Sequence, residues 1–104
     1  MSINKSDLNL TIIIVNYKSW NSLSLCLNSI YKKCSEVVVV DNYSNDKILK
    51  TYKKKYYWVN WIKNPKNFGF SKACNIGAKK VKTKWLLFLN PDTIIPKNTL
   101  SELI

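Results

Sequence analysis

Asp41 and Asp92 are two of only six carboxylates in a chain of 104 residues that carries seventeen Lys, no Arg and no His. Each closes an apolar run: Val37 to Val40 before the first, and Leu86 to Leu89, followed by Asn90 and Pro91, before the second. A carboxylate so placed can accept a hydrogen bond from a base or a sugar hydroxyl, or hold a hard cation that neutralises a diphosphate. Asp also caps turns with no further role, but two at corresponding positions are harder to assign to capping alone. Asn16, Tyr17 and Lys18 close a third apolar run, and Asn64 to Phe70 follow a fourth. With no His anywhere, imidazole-based acid, base or metal chemistry is excluded. Phosphate handling then falls to a metal ion and to Lys.

Two common phosphate-binding motifs are absent. A dinucleotide fold needs Gly-x-Gly-x-x-Gly after its first strand so that backbone can approach the pyrophosphate, and a P-loop needs a Gly-rich cradle ending in Gly-Lys-Ser/Thr. Here the turn after the first run is Asn16-Tyr17-Lys18-Ser19-Trp20-Asn21, and the two glycines are Gly69 and Gly77. Cys26, Cys34 and Cys74 are odd in number and contain no Cys-x-x-Cys pair, so reduced, partly buried thiols are expected rather than a disulfide or zinc site.

The elements that must position these residues follow from hydrophobic period. Leu10 to Val15 and Glu36 to Val40 are compact β-branched runs, the pattern of strands buried on both faces. Val59 to Lys63 and Trp85 to Leu89 predict two more strands. Between them, Asn21 to Lys33 carries Leu23, Cys26, Leu27 and Ile30 on one helical face, with Ser19 or Asn21 as N-cap and Lys32 and Lys33 in the last turn. Asp46 to Tyr56 predicts a basic helix with Ile48, Leu49, Tyr52 and Tyr56 inward. Phe70 to Val81 predicts another, with Phe70, Ala73, Cys74, Gly77 and Val81 in one stripe. Pro96 suits the first turn of a last helix, in which Thr99 and Glu102 would form a capping box. The order β-α-β-α-β-α-β-α predicts one α/β domain: a Rossmann-like open, mainly parallel sheet with helices on both faces and right-handed crossovers. In such a sheet, ligands bind beyond the C-terminal ends of the strands. That is the edge where Asp41 and Asp92 fall.

The net charge of +11 suits a solvated Lys surface, an anionic membrane face or a nucleic acid. The absence of Arg favours the first, because Arg is the residue that forks onto phosphate and reads guanine. No apolar stretch approaches the roughly 18 residues of a membrane span. Met1 to Leu10 is polar without a signal-like core, so a cytoplasmic protein is expected.

Four segments together carry a resemblance: Ile12-Ile-Ile-Val-Asn-Tyr17, Val37-Val-Val-Val-Asp-Asn-Tyr-Ser44, Asn67-Phe-Gly-Phe-Ser-Lys-Ala-Cys-Asn-Ile-Gly77 and Leu86-Leu-Phe-Leu-Asn-Pro-Asp92. In this order and spacing the chain resembles family 2 glycosyltransferases from Thr11 to about Ile104, and within them the bacterial rhamnosyltransferase-like subgroup, whose fourth strand ends in Asn-Pro-Asp. The resemblance implies the nucleotide-binding half of a GT-A fold, taking a nucleoside-diphosphate sugar as donor. It places Asn16, Tyr17, Asp41, Asn42, Asn67, Lys72 and Asn90 around the donor, with Tyr17 against the base and Asp41 accepting from its ring N–H. Asp92 matches the last Asp of the family's metal motif, which holds Mg²⁺ or Mn²⁺ on the diphosphate. The implied acceptor is a saccharide or a lipid-linked sugar, which would bring the protein to the inner membrane face. The family's acceptor half and catalytic base would lie beyond Ile104, so the chain is expected to be truncated, to contain no catalytic residue, and to bind donor without turning it over. The contrasting expectation is a basic module for RNA or other polyanions, stacking bases on Tyr52, Tyr56, Tyr57, Trp58 and Trp61.

Overall fold

The computed structural model describes residues 8–44 and 46–103, Leu103 by its backbone alone. The polar lead Met1 to Asp7, Asn45 of the loop after the second strand, and Ile104 lie outside the described residues. Four strands, β1 (Leu10–Asn16), β2 (Glu36–Asp41), β3 (Asn60–Lys63) and β4 (Trp85–Leu89), alternate with helices α1 (Trp20–Ile30), α2 (Asp46–Lys55), α3 (Phe70–Ala78) and α4 (Thr99–Leu103). All strand pairs are parallel, in the order β3-β2-β1-β4. The expected α/β sheet with helices on both faces is therefore what forms.

Period two in the strands distributes the core. Ile12, Ile14, Val37 and Val39 face one side, against Leu23, Cys26, Leu27 and Ile30 of α1 and Tyr56 beyond α2. Ile13, Val15, Val38 and Val40 face the other, against Ala73 and Cys74 of α3. Here α3 lies very close to the sheet: a Cβ built on Gly77 would meet Ile13 Cγ2 at 2.8 Å and Val40 Cγ2 at 2.9 Å. A larger residue would have to displace these two side chains or the helix. β4 is half-buried, and on one face only. Leu87 and Leu89 pack against the larger core, whereas Trp85, Leu86 and Phe88 are exposed.

Several boundaries differ from the sequence reading. β1 and β2 each run one residue further, so Asn16 and Asp41 are the last rung of the ladder rather than the first loop residues. α1 stops at Ile30, where Lys33 N–H closes a turn on the Ile30 carbonyl and Lys32 takes φ +57°. Lys32 and Lys33 therefore lie past the last turn, because the chain must reverse there to enter β2. Ser19 is the N-cap residue of α1, but its hydroxyl donates to the Tyr17 carbonyl instead of capping the helix. α3 ends at Ala78, short of Val81, and its first residue Phe70 projects into solvent instead of joining the buried stripe. Ile48 on α2 is likewise exposed. In α4 the Glu102 N–H is donated to the Asn98 carbonyl, not to a Thr99 capping box.

Candidate functional site

Chain direction across the sheet decides where a ligand can sit. From β1 the chain steps to β2 and β3 on one side, then crosses behind α3 to β4 on the other side of β1. This reversal opens a crevice beyond the C-terminal ends of β1 and β4, the switch point of an open parallel sheet. The loops after β1 (from Tyr17) and after β4 (from Asn90) flank it, and the loop after β2 adjoins it.

Asn16 and Asp41 pair across the first two strands. Asn16 Nδ2 donates to Asp41 Oδ1 at 3.1 Å, and Asn16 Oδ1 accepts the Ser19 N–H at 3.2 Å, tying the entry of α1 to the ladder. Asp41 Oδ2 accepts the Ser44 N–H at 3.1 Å. Asp41 is only 1% exposed, and its cross-strand neighbour Lys63 pairs with Asp46 instead, so among the described residues these two donors carry its solvation. Each oxygen retains a second lone pair for a further donor.

Asn42, expected among the donor contacts, has its polar atoms turned to the protein. Its Nδ2 donates to Asn67 Oδ1 (2.8 Å) and to the Gly69 carbonyl (3.3 Å), and its Oδ1 accepts from Asn64 Nδ2 (3.1 Å) and the Phe68 N–H (3.0 Å). One buried amide thus holds the whole loop between β3 and α3. Asn67 adds a bond from the Gly69 N–H to its Oδ1 at 2.8 Å. Gly69 then enters α3 at φ +84° and ψ 166°, a conformation essentially reserved for glycine. The result is a rigid loop that presents the amino end of α3 at the same edge.

The remaining expected residues are exposed and outside this network. Tyr17 is 43% exposed, with Lys18 Nζ 5.1 Å from its ring centroid. Lys72 leans over Phe68 at 4.3 Å from its ring centroid. Asn90 and Asp92 belong to a turn closed by the Thr93 N–H on the Asn90 carbonyl. The Asp92 charge reaches the α1 side of the sheet: burial first, and Asp92 second, push the Cys26 thiol up to about 11. Among the described residues no three His, Cys, Asp or Glu side chains lie together as a metal-binding group. An open depression of about 500 Å³ lies beside the edge, lined by Lys18, Ser19, Trp20, Asn21, Ser22 and Ile48.

Sequence reasoning missed Asn64 and Ser44, which hold the loops around Asn16 and Asp41. By sequence Asn64 is only the first residue of the segment that follows a strand, although four asparagines within the loops after β2 and β3 are a usable signal. An amide both donates and accepts, so clustered asparagines can cross-link loops.

The family model for glycosyl transferase family 2 matches residues 11–104. The chain belongs to this glycosyltransferase family. A Haemophilus influenzae protein described as an uncharacterized glycosyltransferase is 32% identical over 87 residues, covering 80% of this chain and 29% of that protein. Among solved structures, Staphylococcus aureus TarS 1–349 in complex with UDP superposes with a TM-score of 0.78 at 28% identity, over 90% of this chain and 30% of that one. GalNAc-T7 with UDP, GalNAc and Mn²⁺ superposes with a TM-score of 0.65 at 26% identity, over 79% of this chain and 17% of that one. This family 2 chain thus spans less than a third of the length of these relatives.

The aromatics that suggested a stacking platform for RNA are mostly internal in this family 2 chain. Tyr56 is buried, and Tyr52, Trp58 and Trp61 pack against the larger core. Ring centroids lie 4.9 Å apart for Trp20–Tyr52 and 5.5 Å for Tyr52–Tyr56, while Tyr52 Oη donates to the Trp20 carbonyl. Of the five, only Tyr57 is well exposed. Bases stack on exposed ring faces, which among these five only Tyr57 offers. Among the described residues no helix is long and apolar enough to cross a membrane.

Proposed function

We propose that this chain is the donor-binding portion of an inverting glycosyltransferase that passes a sugar from a nucleoside diphosphate to a saccharide or lipid-linked acceptor. The observation that carries the reading is the buried Asp41 carboxylate at the switch point, held between Asn16 and the Ser44 amide with acceptor capacity left over. The UDP bound in the TarS and GalNAc-T7 structures supports the same class of ligand. In this reading Tyr17 lies against the base and Asp41 accepts from it. Asn16 positions Asp41, Asn42 and Asn67 hold the loop before α3, and the N-terminal amides of α3 with Lys72 face the diphosphate.

Asp92 would hold Mg²⁺ or Mn²⁺, with Asn90 beside it in the same turn. A single exposed carboxylate fits such an ion when substrate phosphates and water complete the coordination, the usual arrangement for magnesium. The bound ion supplies charge neutralisation to the departing diphosphate. The Asn-Pro-Asp turn also supports the rhamnosyltransferase-like subgroup and a role in cell-surface polysaccharide synthesis. The +11 charge supports work at an anionic membrane face, where lipid-linked acceptors reside.

Thermal shift with UDP, dTDP and GDP, each with and without Mn²⁺, tests the reading. The expected result is metal-dependent stabilisation by one nucleotide, with the metal-dependent part lost in Asp92→Asn. Binding of RNA with a steep salt dependence, and no effect of any nucleotide, would favour the polyanion module instead.

A further inference from the structure

Tyr43 adopts φ +71°, in the left-handed region where Gly and Asn are at ease and a bulky aromatic is an outlier. Tyr43 is also 56% exposed, and no ring contact or side-chain hydrogen bond among the described residues engages it. The chain therefore sustains both backbone strain and an exposed aromatic surface here, with no packing gain to offset them. Strained residues of this kind concentrate at binding sites, where neighbouring structure over-determines them.

The surrounding bonds show what holds the strain. Ser44, the next residue, donates its N–H to Asp41 Oδ2 at 3.1 Å and accepts the Lys18 N–H on its Oγ at 2.8 Å. Lys18 is itself left-handed, at φ +57°. Two strained turns are thus clasped to each other by Ser44. Each carries an exposed tyrosine just before the clasp: Tyr17 on the loop after β1 and Tyr43 on the loop after β2. Asp41 ends the strand two residues before Tyr43.

We propose that Tyr43 is a specificity-determining residue that contacts the nucleobase of the donor, forming a second aromatic wall opposite Tyr17 with Asp41 between them. The proposal rests on the donor-binding reading and adds a residue to it. A stacked base accounts for the exposed ring, and the strained turn accounts for its position. The Ser44 clasp means that the wall is preformed, so binding does not have to order it.

The test separates strain from stacking. Titrations of the wild-type chain with UDP, dTDP and GDP identify the nucleotide that binds, and the same titration follows for Tyr43→Asn and Tyr43→Phe, with Tm measured for each. Tyr43→Asn should raise Tm by a few degrees, since Asn tolerates the left-handed region, yet weaken the nucleotide about tenfold. Tyr43→Phe keeps the ring and should bind within about twofold of wild type. Inorganic pyrophosphate, which has no base, should bind all three alike. Unchanged nucleotide affinity in Tyr43→Asn, a fall in its Tm, or an equal loss in Tyr43→Phe would overturn the proposal while leaving the donor-binding reading intact. Failure of the wild-type chain to bind any of the nucleotides would overturn that reading, and this proposal with it.

Discussion

Replacing Asn42 by Ala removes the amide that cross-links β2 to the loop before α3. Four hydrogen bonds are lost at once, to Asn64, Asn67, Phe68 and Gly69. Their cost is unequal. Asn67 and Gly69 are exposed, so water can replace the lost partner, and each of those bonds is worth about 1 kcal/mol or less. Asn64 is 3% exposed and the Phe68 amide is partly buried, so two donors are left without an acceptor where water enters poorly. At roughly 1–2 kcal/mol for each stranded donor, the substitution should destabilise the fold by about 3 kcal/mol. Against a typical total of about 5–15 kcal/mol, the protein should still fold but melt more than about 10 °C lower. Urea denaturation of wild type and variant, with equal m-values, reads the difference directly. Hydrogen exchange at the Phe68 amide should quicken more than at amides within β1. Asn67→Ala serves as the comparison and should cost about 1 kcal/mol, because the Gly69 N–H can reach water and the buried Asn42 Nδ2 keeps its bond to the Gly69 carbonyl. A loss below about 1 kcal/mol for Asn42→Ala, or one no larger than for Asn67→Ala, would refute the account of Asn42 as the anchor of this loop.

Gly77→Ala should destabilise by about 1–3 kcal/mol in the same assay, since the new methyl meets Ile13 and Val40 below 3.0 Å; a neutral result would mean that α3 can lift off the sheet freely. The Cys26 thiol, raised to about 11 by burial and then by Asp92, should resist thiol reagents in the folded protein at pH 8 and label only on unfolding. Its sign also sets a pH dependence. The unfolded thiol ionises near 9 and the folded one near 11, so stability falls as pH climbs through that window, and Cys26→Ser should flatten the fall. Asp92→Asn, at an exposed position, should leave Tm without ligand nearly unchanged near neutral pH and bring the Cys26 value down, read as a smaller loss of stability between pH 8 and pH 10 in urea denaturation.

The strands were legible because their signal is dense. Ile12 to Val15 and Val37 to Val40 are β-branched runs too short for helices, and a parallel sheet needs them buried on both faces. Helix faces were legible where period and burial agree, as at Leu23, Cys26, Leu27 and Ile30. They were misread at helix ends. Phe70 and Ile48 continue an apolar stripe on paper, but each stands in the first turn of its helix and is left exposed there. The aromatics from Tyr52 to Trp61 were open to two readings because composition does not tell an interior ring from an exposed one. Packing decided it, with Tyr56 Oη 2.6 Å from Ser24 Oγ and Trp61 Nε1 donating to the Tyr56 carbonyl.

At the candidate site the division is similar. The sequence by itself determined which side chains stand at the ends of the four strands, because strand length and apolar period set where each run must stop. It also determined the chemistry on offer there: amides, two carboxylates and Lys, without imidazole or a glycine-rich cradle. Only the tertiary structure decided how those groups divide their work. Asn16 and Asp41 became one buried rung because β1 and β2 pair in a register that sets them opposite each other. Asn42 turned inward because the loop after β3 passes over it with four complementary polar groups. Tyr43 was left facing solvent because Ser44 is pinned to Asp41 and to Lys18. A hydrogen bond between residues 25 apart depends on register and crossover, which local sequence period does not encode.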